Sequence, residues 1–547
     1  MTETSTSPSV PKGGLAPMTR RVMNLGHIVT QNARRLTERP GFIWGERSWS
    51  WAEIEAQVSA LAAGLAARGI GKGDRVLVHS KNCETMFFSM FATFRLGAIW
   101  VPTNFRLLPD EVAYLSSASG ARAFLCHGDF PEHAAAVAAA SPAPDFTWRI
   151  GEGGFGEAEV GVVIAKHLGA SVANVAVERD DPCWYFFTSG TTGRSKAAVL
   201  THGQMGFVVT NHLCDLMPGT TDADASLVVA PLSHGAGVHQ LAQSAKGAAT
   251  ILLPSERFDI DEAYRLIARY RVTNMFTVPT ILKMLAEHPA ADQHDHSSLR
   301  YIIYAGAPMY REDQKRALAK LGKVLVQYFG LGEVTGNITV LPPALHDPED
   351  GPNARIGTCG FERTGMQVQI QGDDGQELPF GQQGEICVIG PAVFAGYYDN
   401  PDANAKAFRD GWFRTGDLGH IDAQGFLYIT GRASDMYISG GSNIYPREIE
   451  EKILTHEAIV ECAVLGLPDP VWGEIGVAVC VPRQGVKLSE AEIAEFLSAK
   501  IARYKMPKRF FFWEALPKSG YGKVPKRLVK DELEARGQLD WLRSAAS

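Results

Sequence analysis

The sharpest chemical pattern in the chain is Tyr185-Phe-Phe-Thr188-Ser189-Gly190-Thr191-Thr192-Gly193-Arg194-Ser195-Lys196. An apolar run that reads as a strand enters a loop of hydroxyls and glycines and ends on a lysine. Small residues let backbone N–H groups approach an anion, the threonines and serines add donors, and Lys196 adds charge. That combination suits phosphate. The order G-T-T-G-R-S-K is superficially similar to a Walker loop but lacks its adjacent Gly-Lys pair. A flexible surface hairpin would use the same residue types, so the segment alone leaves both readings open.

The segment resembles the phosphate loop of the adenylate-forming superfamily, which includes acyl- and aryl-CoA synthetases, luciferases and adenylation domains. The usual form is T-S-G-T-T-G-x-P-K-G, and this chain departs from it at Ser195 and Ala197. Tyr304-Ala305-Gly306-Ala307-Pro308 is similar to the family's adenine-side G-A-P loop. Phe329-Gly330-Leu331-Gly332-Glu333 matches its Y-G-x-T-E. The resemblance implies that Phe329 packs on adenine and that Glu333, with Thr188, offers hard oxygen ligands to Mg²⁺. Gly332 stands where the family has threonine, which removes a hydroxyl that helps hold phosphate. Trp412-Phe-Arg-Thr-Gly416-Asp417 and Ile429-Thr-Gly-Arg432 follow in the family's order. By the same resemblance Asp417 accepts from the ribose hydroxyls, which suits an acceptor-only carboxylate, and Arg432 donates to the ribose. Outside this context a β-turn and a surface ion pair would explain both.

Asp435 opens D-M-Y-I-S-G-G-S-N-I-Y-P-R-E and occupies the family's hinge position, with Ser434 where lysine is common. Gly440 and Gly441 would line the coenzyme A side of the second half-reaction; a glycine turn closing a hairpin is the plain alternative. Pro517-Lys518-Ser519-Gly520-Tyr521-Gly522-Lys523-Val524 resembles the terminal P-K-x-x-x-G-K-[IV] motif. It assigns Lys523 as the residue that meets the carboxylate and α-phosphate, with Lys526 as runner-up. Between Arg503 and Lys530 nine basic residues stand against Glu514 alone. A solvated face would explain them, and so would a landing site for coenzyme A phosphates.

Pro231-Leu-Ser-His234-Gly235-Ala236-Gly237-Val238-His239 matches the family's acyl-pocket stretch. His234 is expected to flank the acyl group and the passage to the thiol, unless it is an ordinary core histidine. With Gly235, Gly306, Gly330 and Leu331 it makes the expected acyl pocket. The small residues among these and their neighbours suggest room for a ring or an unbranched chain of moderate length. No carboxylate lies between Pro231 and Gln240 to meet a substrate ammonium, and no carrier domain follows, which argues against amino-acid activation.

These residues need a scaffold, and its rhythm is legible. Residues 51–74 read as an amphipathic helix closed by glycine, Arg75–Ser80 as a buried strand, and 87–102 as a helix followed by a strand. The stretches 266–285 and 299–309 continue the βα alternation. After about Asn353 the pattern turns to alternating residues with D-G and G-Q turns, suggesting hairpins. The expected fold is α/β. It comprises a large N-terminal domain of mostly parallel α/β subdomains plus a β-rich subdomain, with a small mobile α+β C-terminal domain. The corresponding ranges are a loose tail at 1–20, an ATP- and carboxylate-binding domain at 21–434, and a mobile domain at 435–547.

Composition agrees with an ordinary globular enzyme. The 547 residues are 45% hydrophobic, 21% charged and 9% aromatic, which excludes disorder as the main state. A net charge of −7 offers no basic excess for nucleic acid. The longest apolar run, Met86–Pro102, is broken by Arg95 and falls short of a membrane span. The polar N-terminus lacks a signal-peptide core, the C-terminal SAAS is no peroxisomal address, and eight scattered cysteines without C-x-x-C suit reduced thiols. The expectation is a cytoplasmic enzyme that uses ATP, Mg²⁺ and coenzyme A on an aromatic or medium-chain apolar carboxylic acid. A homodimer is one assembly compatible with it. The rivals are a luciferase-like oxidative adenylating enzyme, told apart by its indifference to coenzyme A, and a non-catalytic nucleotide-binding protein. A plain ATPase would release orthophosphate instead.

Overall fold

The structure is a computed structural model that describes residues 21–188, 194–254, 258–307, 309–439, 442–469, 472–518 and 523–544. Local signals placed in the sequence are satisfied by specific bonds. The helix Trp51–Ala67 starts at Ser50, whose hydroxyl accepts from the Glu53 amide while the Glu53 carboxylate accepts from the Ser50 amide. The strand Arg75–His79, the helix Glu84–Arg95 and the strand Ile99–Thr103 follow as the alternation requires.

Among the described residues, these units build four sheets. A seven-stranded sheet is parallel except at Pro182–Thr188 and Lys196–Thr201, which pair antiparallel at its edge. A nine-stranded sheet has a parallel centre, including Asn274–Thr277, Tyr301–Tyr304 and Leu325–Phe329, with antiparallel strands at both edges. Apolar side chains of both sheets share one core, in which Phe42, Phe87, Phe91, Trp100 and Trp184 are buried.

The change of texture after Asn353 corresponds to a separate five-stranded sheet. Gln367–Gln371 pairs antiparallel with Gly384–Ile389, and Trp412–Ile421 with Leu427–Arg432. The last sheet starts at Tyr437 and is built around the long antiparallel pair Ile459–Asp469 and Gly473–Pro482, packed by the helices Pro446–Ile453 and Glu490–Ser498. No helix among the described residues is long and apolar enough to cross a membrane. The eight cysteines are free.

The basic stretch near the C-terminus does not form one helix face. It spans a short turn at Arg503–Lys505, the strand Arg509–Phe512 and the helix Lys526–Ala535. Four of its cations meet glutamates from elsewhere: Lys505 with Glu448, Arg509 with Glu490, Lys518 with Glu461, and Lys526 with Glu450. Much of the charge that looked unopposed in sequence is therefore paired in space, which reduces what is available to phosphates.

Candidate active site

The strand Pro182–Thr188 alternates its side chains by pleat. Tyr185 and Phe187 enter one core, while Trp184, Phe186 and Thr188 face the other way. The register Thr188↔Lys196 pairs the two strands, so strand pairing fixes the residues on either side of the hydroxyl- and glycine-rich segment. Ser189, Gly190, Thr191, Thr192 and Gly193 lie outside the described residues, as do Pro308, Gly440 and Gly441.

Thr188 meets Glu333 across the cleft. Its hydroxyl donates to Glu333 Oε1 at 2.8 Å, and the Tyr397 phenol donates to the same oxygen at 2.9 Å. Glu333 sits on the short turn Gly332–Val334 and is 5% exposed, so two neutral donors hold an otherwise costly carboxylate. Lys196 places its ammonium 4.5 Å from the centre of the Tyr397 ring. Burial and the Glu333 carboxylate push the Tyr397 phenol well above the usual range, so it stays a donor. Tyr397 had no signal in the sequence, because its role depends on a residue 64 positions away.

Adjacent strands bring Asp417 and Arg432 into register, with Arg432 Nε 2.8 Å from Asp417 Oδ1. Burial raises the Asp417 carboxyl, while Arg432 and Lys523 oppose that shift. Ile429 is half-buried on the same strand as Arg432. Beyond it, the Asp435 amide donates to the Arg432 carbonyl at 3.1 Å.

Lys523 reaches this group from the far end of the chain. Burial and the Arg432 guanidinium push its ammonium below the usual lysine range, and Asp417 and Glu333 pull it back up. Other groups crowd the ammonium, yet the residue as a whole is exposed, so solvent screens these effects. Lys526, the alternative, is bound to Glu450, whose Oε1 also accepts from the Val464 amide at 2.7 Å. That pairing ties Lys526 to the helix Pro446–Ile453.

His234 precedes the helix Gly235–Lys246 and packs edge-on against Phe186, ring centres 5.2 Å apart. Its Nδ1 lies 2.8 Å from Ser233 Oγ. Burial, and secondarily the Lys523 charge, lowers its pKa to about 3. The imidazole is therefore neutral and adds no second cation beside Lys523.

The small residues expected to leave room for substrate behave differently from one another. At Gly235 a side chain would run into the Phe276 ring at 2.7 Å, and at Gly330 into the Gly336 backbone at 2.4 Å. Gly237 lies under the Leu232 carbonyl in the same way. At these three positions the protein's own atoms take the space that a side chain would fill. Gly306 differs: its φ is +85° and the space beside it is open. Ala307 is exposed next to it, and Phe329 and Leu331 are half-buried. A groove of about 650 Å³ lies elsewhere, lined by Tyr310, Asp313, His456 and Arg483, and contains none of the predicted residues.

The donor set suits magnesium. Glu333 and Thr188 present hard oxygens, and among the described residues no cluster of three or more His, Cys, Asp or Glu could hold a metal by itself. Mg²⁺ characteristically binds with one or two carboxylates and completes its shell with substrate phosphates and water.

The profile of the AMP-binding enzyme family matches residues 29–398, and that of the AMP-binding enzyme C-terminal domain matches residues 448–523. A feruloyl-CoA synthase from an Amycolatopsis species is 36% identical over 512 residues, covering 93% of this chain and 99% of that protein. Among solved structures, ATP-bound MatB from Rhodopseudomonas palustris superimposes with a TM-score of 0.84 at 30% identity, covering 93% of this chain and 98% of that one. The o-succinylbenzoate CoA synthetase MenE from Bacillus subtilis, in complex with its acyl-adenylate intermediate, gives a TM-score of 0.81 at 28% identity over 94% and 98% of the two chains.

Proposed function

Since the chain belongs to the AMP-binding enzyme family, we propose that it is an AMP-forming acid–CoA ligase acting on an aromatic or medium-chain apolar carboxylic acid. The observation that carries this reading is the joining of Asp417 to Arg432 and of Thr188 and Tyr397 to Glu333, with Asp417, Arg432 and Glu333 all acting electrostatically on Lys523. The aromatic option draws support from relatives named for ferulate and o-succinylbenzoate.

A carboxylate does not expel oxide, so it must first acquire a leaving group. One substrate carboxylate oxygen attacks the α-phosphorus of ATP, and the bond to pyrophosphate breaks. The coenzyme A sulfur, having given up its proton, then attacks the acyl carbon, and AMP leaves. In the first step Lys523 meets both the attacking carboxylate and the charge on the α-phosphate, which favours the transition state electrostatically. Asp417 receives the ribose hydroxyls, and Arg432 fixes that carboxylate. Thr188 and Tyr397 orient Glu333, the residue that with Thr188 would hold Mg²⁺. The ion, when bound, neutralises phosphate charge. Neutral His234 borders the acyl group without competing for the carboxylate.

The small domain is read as residues 435–547, turning about Asp435 between half-reactions. The turn withdraws Lys523, brings in Gly440 and Gly441 for the thiol step, and keeps the reactive adenylate from water. Eight free cysteines, seven of them buried, support a reducing cytoplasmic setting. Carboxylate-dependent ATP–pyrophosphate exchange over aromatic and aliphatic acids, followed by AMP release on adding coenzyme A, tests the proposal. Exchange with one acid class and thiol-dependent AMP release are expected. Absence of exchange with every acid, despite ATP binding, would overturn it.

A further inference from the structure

Gly332 is the family position at which this chain lacks a threonine, and the structure shows what fills the space. A Cβ built at Gly332 would stand 2.6 and 2.7 Å from two carbons of the Phe186 ring and 2.9 Å from the Thr188 methyl. No real side chain tolerates such distances, so residue 332 is glycine because Phe186 occupies its volume. The ring has little freedom to yield. It is packed edge-on against His234 at 5.2 Å and lies 6.0 Å from Trp184, and Thr188 follows it on the same strand face. Phe186 thus touches both sides of the site: the turn that carries Glu333 and the histidine that borders the acyl group.

We propose that Phe186 and Gly332 form a complementary pair in which the ring, by replacing the side chain at 332 and bracing His234, determines which acids fit beside the α-phosphate. Phe186 is a positioning and specificity-determining residue. This rests on the ligase reading for the identity of the acid, but the pairing itself does not.

The test is a cycle of Phe186→Leu, Gly332→Thr and the double variant, read by pyrophosphate exchange, by ATP binding in calorimetry and by thermal unfolding. Overpacking by Gly332→Thr alone is expected to lower exchange about tenfold or more, or to lower Tm if the chain must rearrange to fit it. The double variant should recover to within about threefold of the parent in exchange and ATP affinity, because Leu vacates what Thr fills. Phe186→Leu alone overpacks nothing. It should raise KM for the preferred acid severalfold and change the ranking among acids of different width, while KM for ATP holds within about twofold.

Strict additivity in the double variant, or a Gly332→Thr protein indistinguishable from the parent, would overturn the pairing. Equal changes in acid and ATP KM for Phe186→Leu would reduce the ring to a structural filler and overturn its specificity role. If the parent shows no exchange with any acid, the ligase reading fails. In that case ATP affinity and Tm still decide the pairing, and the specificity role falls with the ligase reading.

Discussion

Tyr397→Phe removes one oxygen and leaves the rest of the residue in place. The ring would keep its edge contact with Phe394, centres 4.8 Å apart, and its position beneath the Lys196 ammonium. What disappears is the 2.9 Å bond to Glu333 Oε1. A hydrogen bond to a charged acceptor contributes about 1.5–3 kcal/mol. Thr188 still donates to the same oxygen, so the carboxylate is not stripped of partners and the lower end applies. At 1.4 kcal/mol per decade that corresponds to roughly tenfold in whatever equilibrium requires Glu333 to be ionised and oriented. The expected result is a fall of about tenfold in kcat/KM for MgATP in pyrophosphate exchange, a higher Mg²⁺ requirement, and an unchanged KM for the acid. Adding Thr188→Val should cost more than the product of the two single effects, because the second loss leaves Glu333 buried and unpaired. If Tyr397→Phe changes kcat/KM for MgATP by less than about twofold, with an unaltered Mg²⁺ dependence, the phenol does not orient Glu333 and the argument fails.

Lys523→Ala should nearly abolish adenylation yet largely spare thioester formation from supplied acyl adenylate; equal loss in both half-reactions would refute the division of labour. Lys526→Ala should leave adenylation within about threefold of the parent but lower stability by about 2 kcal/mol or more in urea unfolding, since Glu450 then keeps a buried charge without its cation. Stability should also fall on acidification. Burial lowers His79 and His234 to about 3, and His202, His239 and His346 to about 4, from 6.5. The unfolded chain therefore binds more protons than the native one below pH 6.5, and stability rises with pH through that window. Urea midpoints measured from pH 7 to pH 4.5 should fall steadily, and His79→Gln should flatten the slope; a flat profile in the parent would contradict the neutral buried imidazoles.

Much of the molecule is legible without coordinates because the relevant signals are local. The apolar periodicity from residue 51 announces a helix, observed over Trp51–Ala67. Alternation over Gln367–Gln371 announces a half-buried strand. The motifs ending in Glu333, Asp417, Arg432 and Lys523 can be read as nucleotide machinery from residue type and order. Glycines were less informative. The sequence does not distinguish Gly306, beside which space is open, from Gly235 and Gly330, beside which the protein's own atoms sit. A missing side chain reveals room only if nothing else moves in, and what moves in comes from distant sequence.

The sequence by itself determined the family, the βα order and the residue types proposed to meet phosphate, ribose and carboxylate. These follow from short-range periodicity and from functional groups whose chemistry is independent of context. Only the tertiary structure decided which groups act together. Thr188 and Glu333 are 145 residues apart, and Tyr397 joins them from a segment outside the named strands that bridges to Ala198. Phe186 explains Gly332 only when a strand edge and a turn are laid side by side, and the basic C-terminal stretch proves partly neutral once Glu448, Glu450, Glu461 and Glu490 fold against it. Excluded volume and Coulomb energy depend on distance in space, and a linear order of residues does not contain that distance.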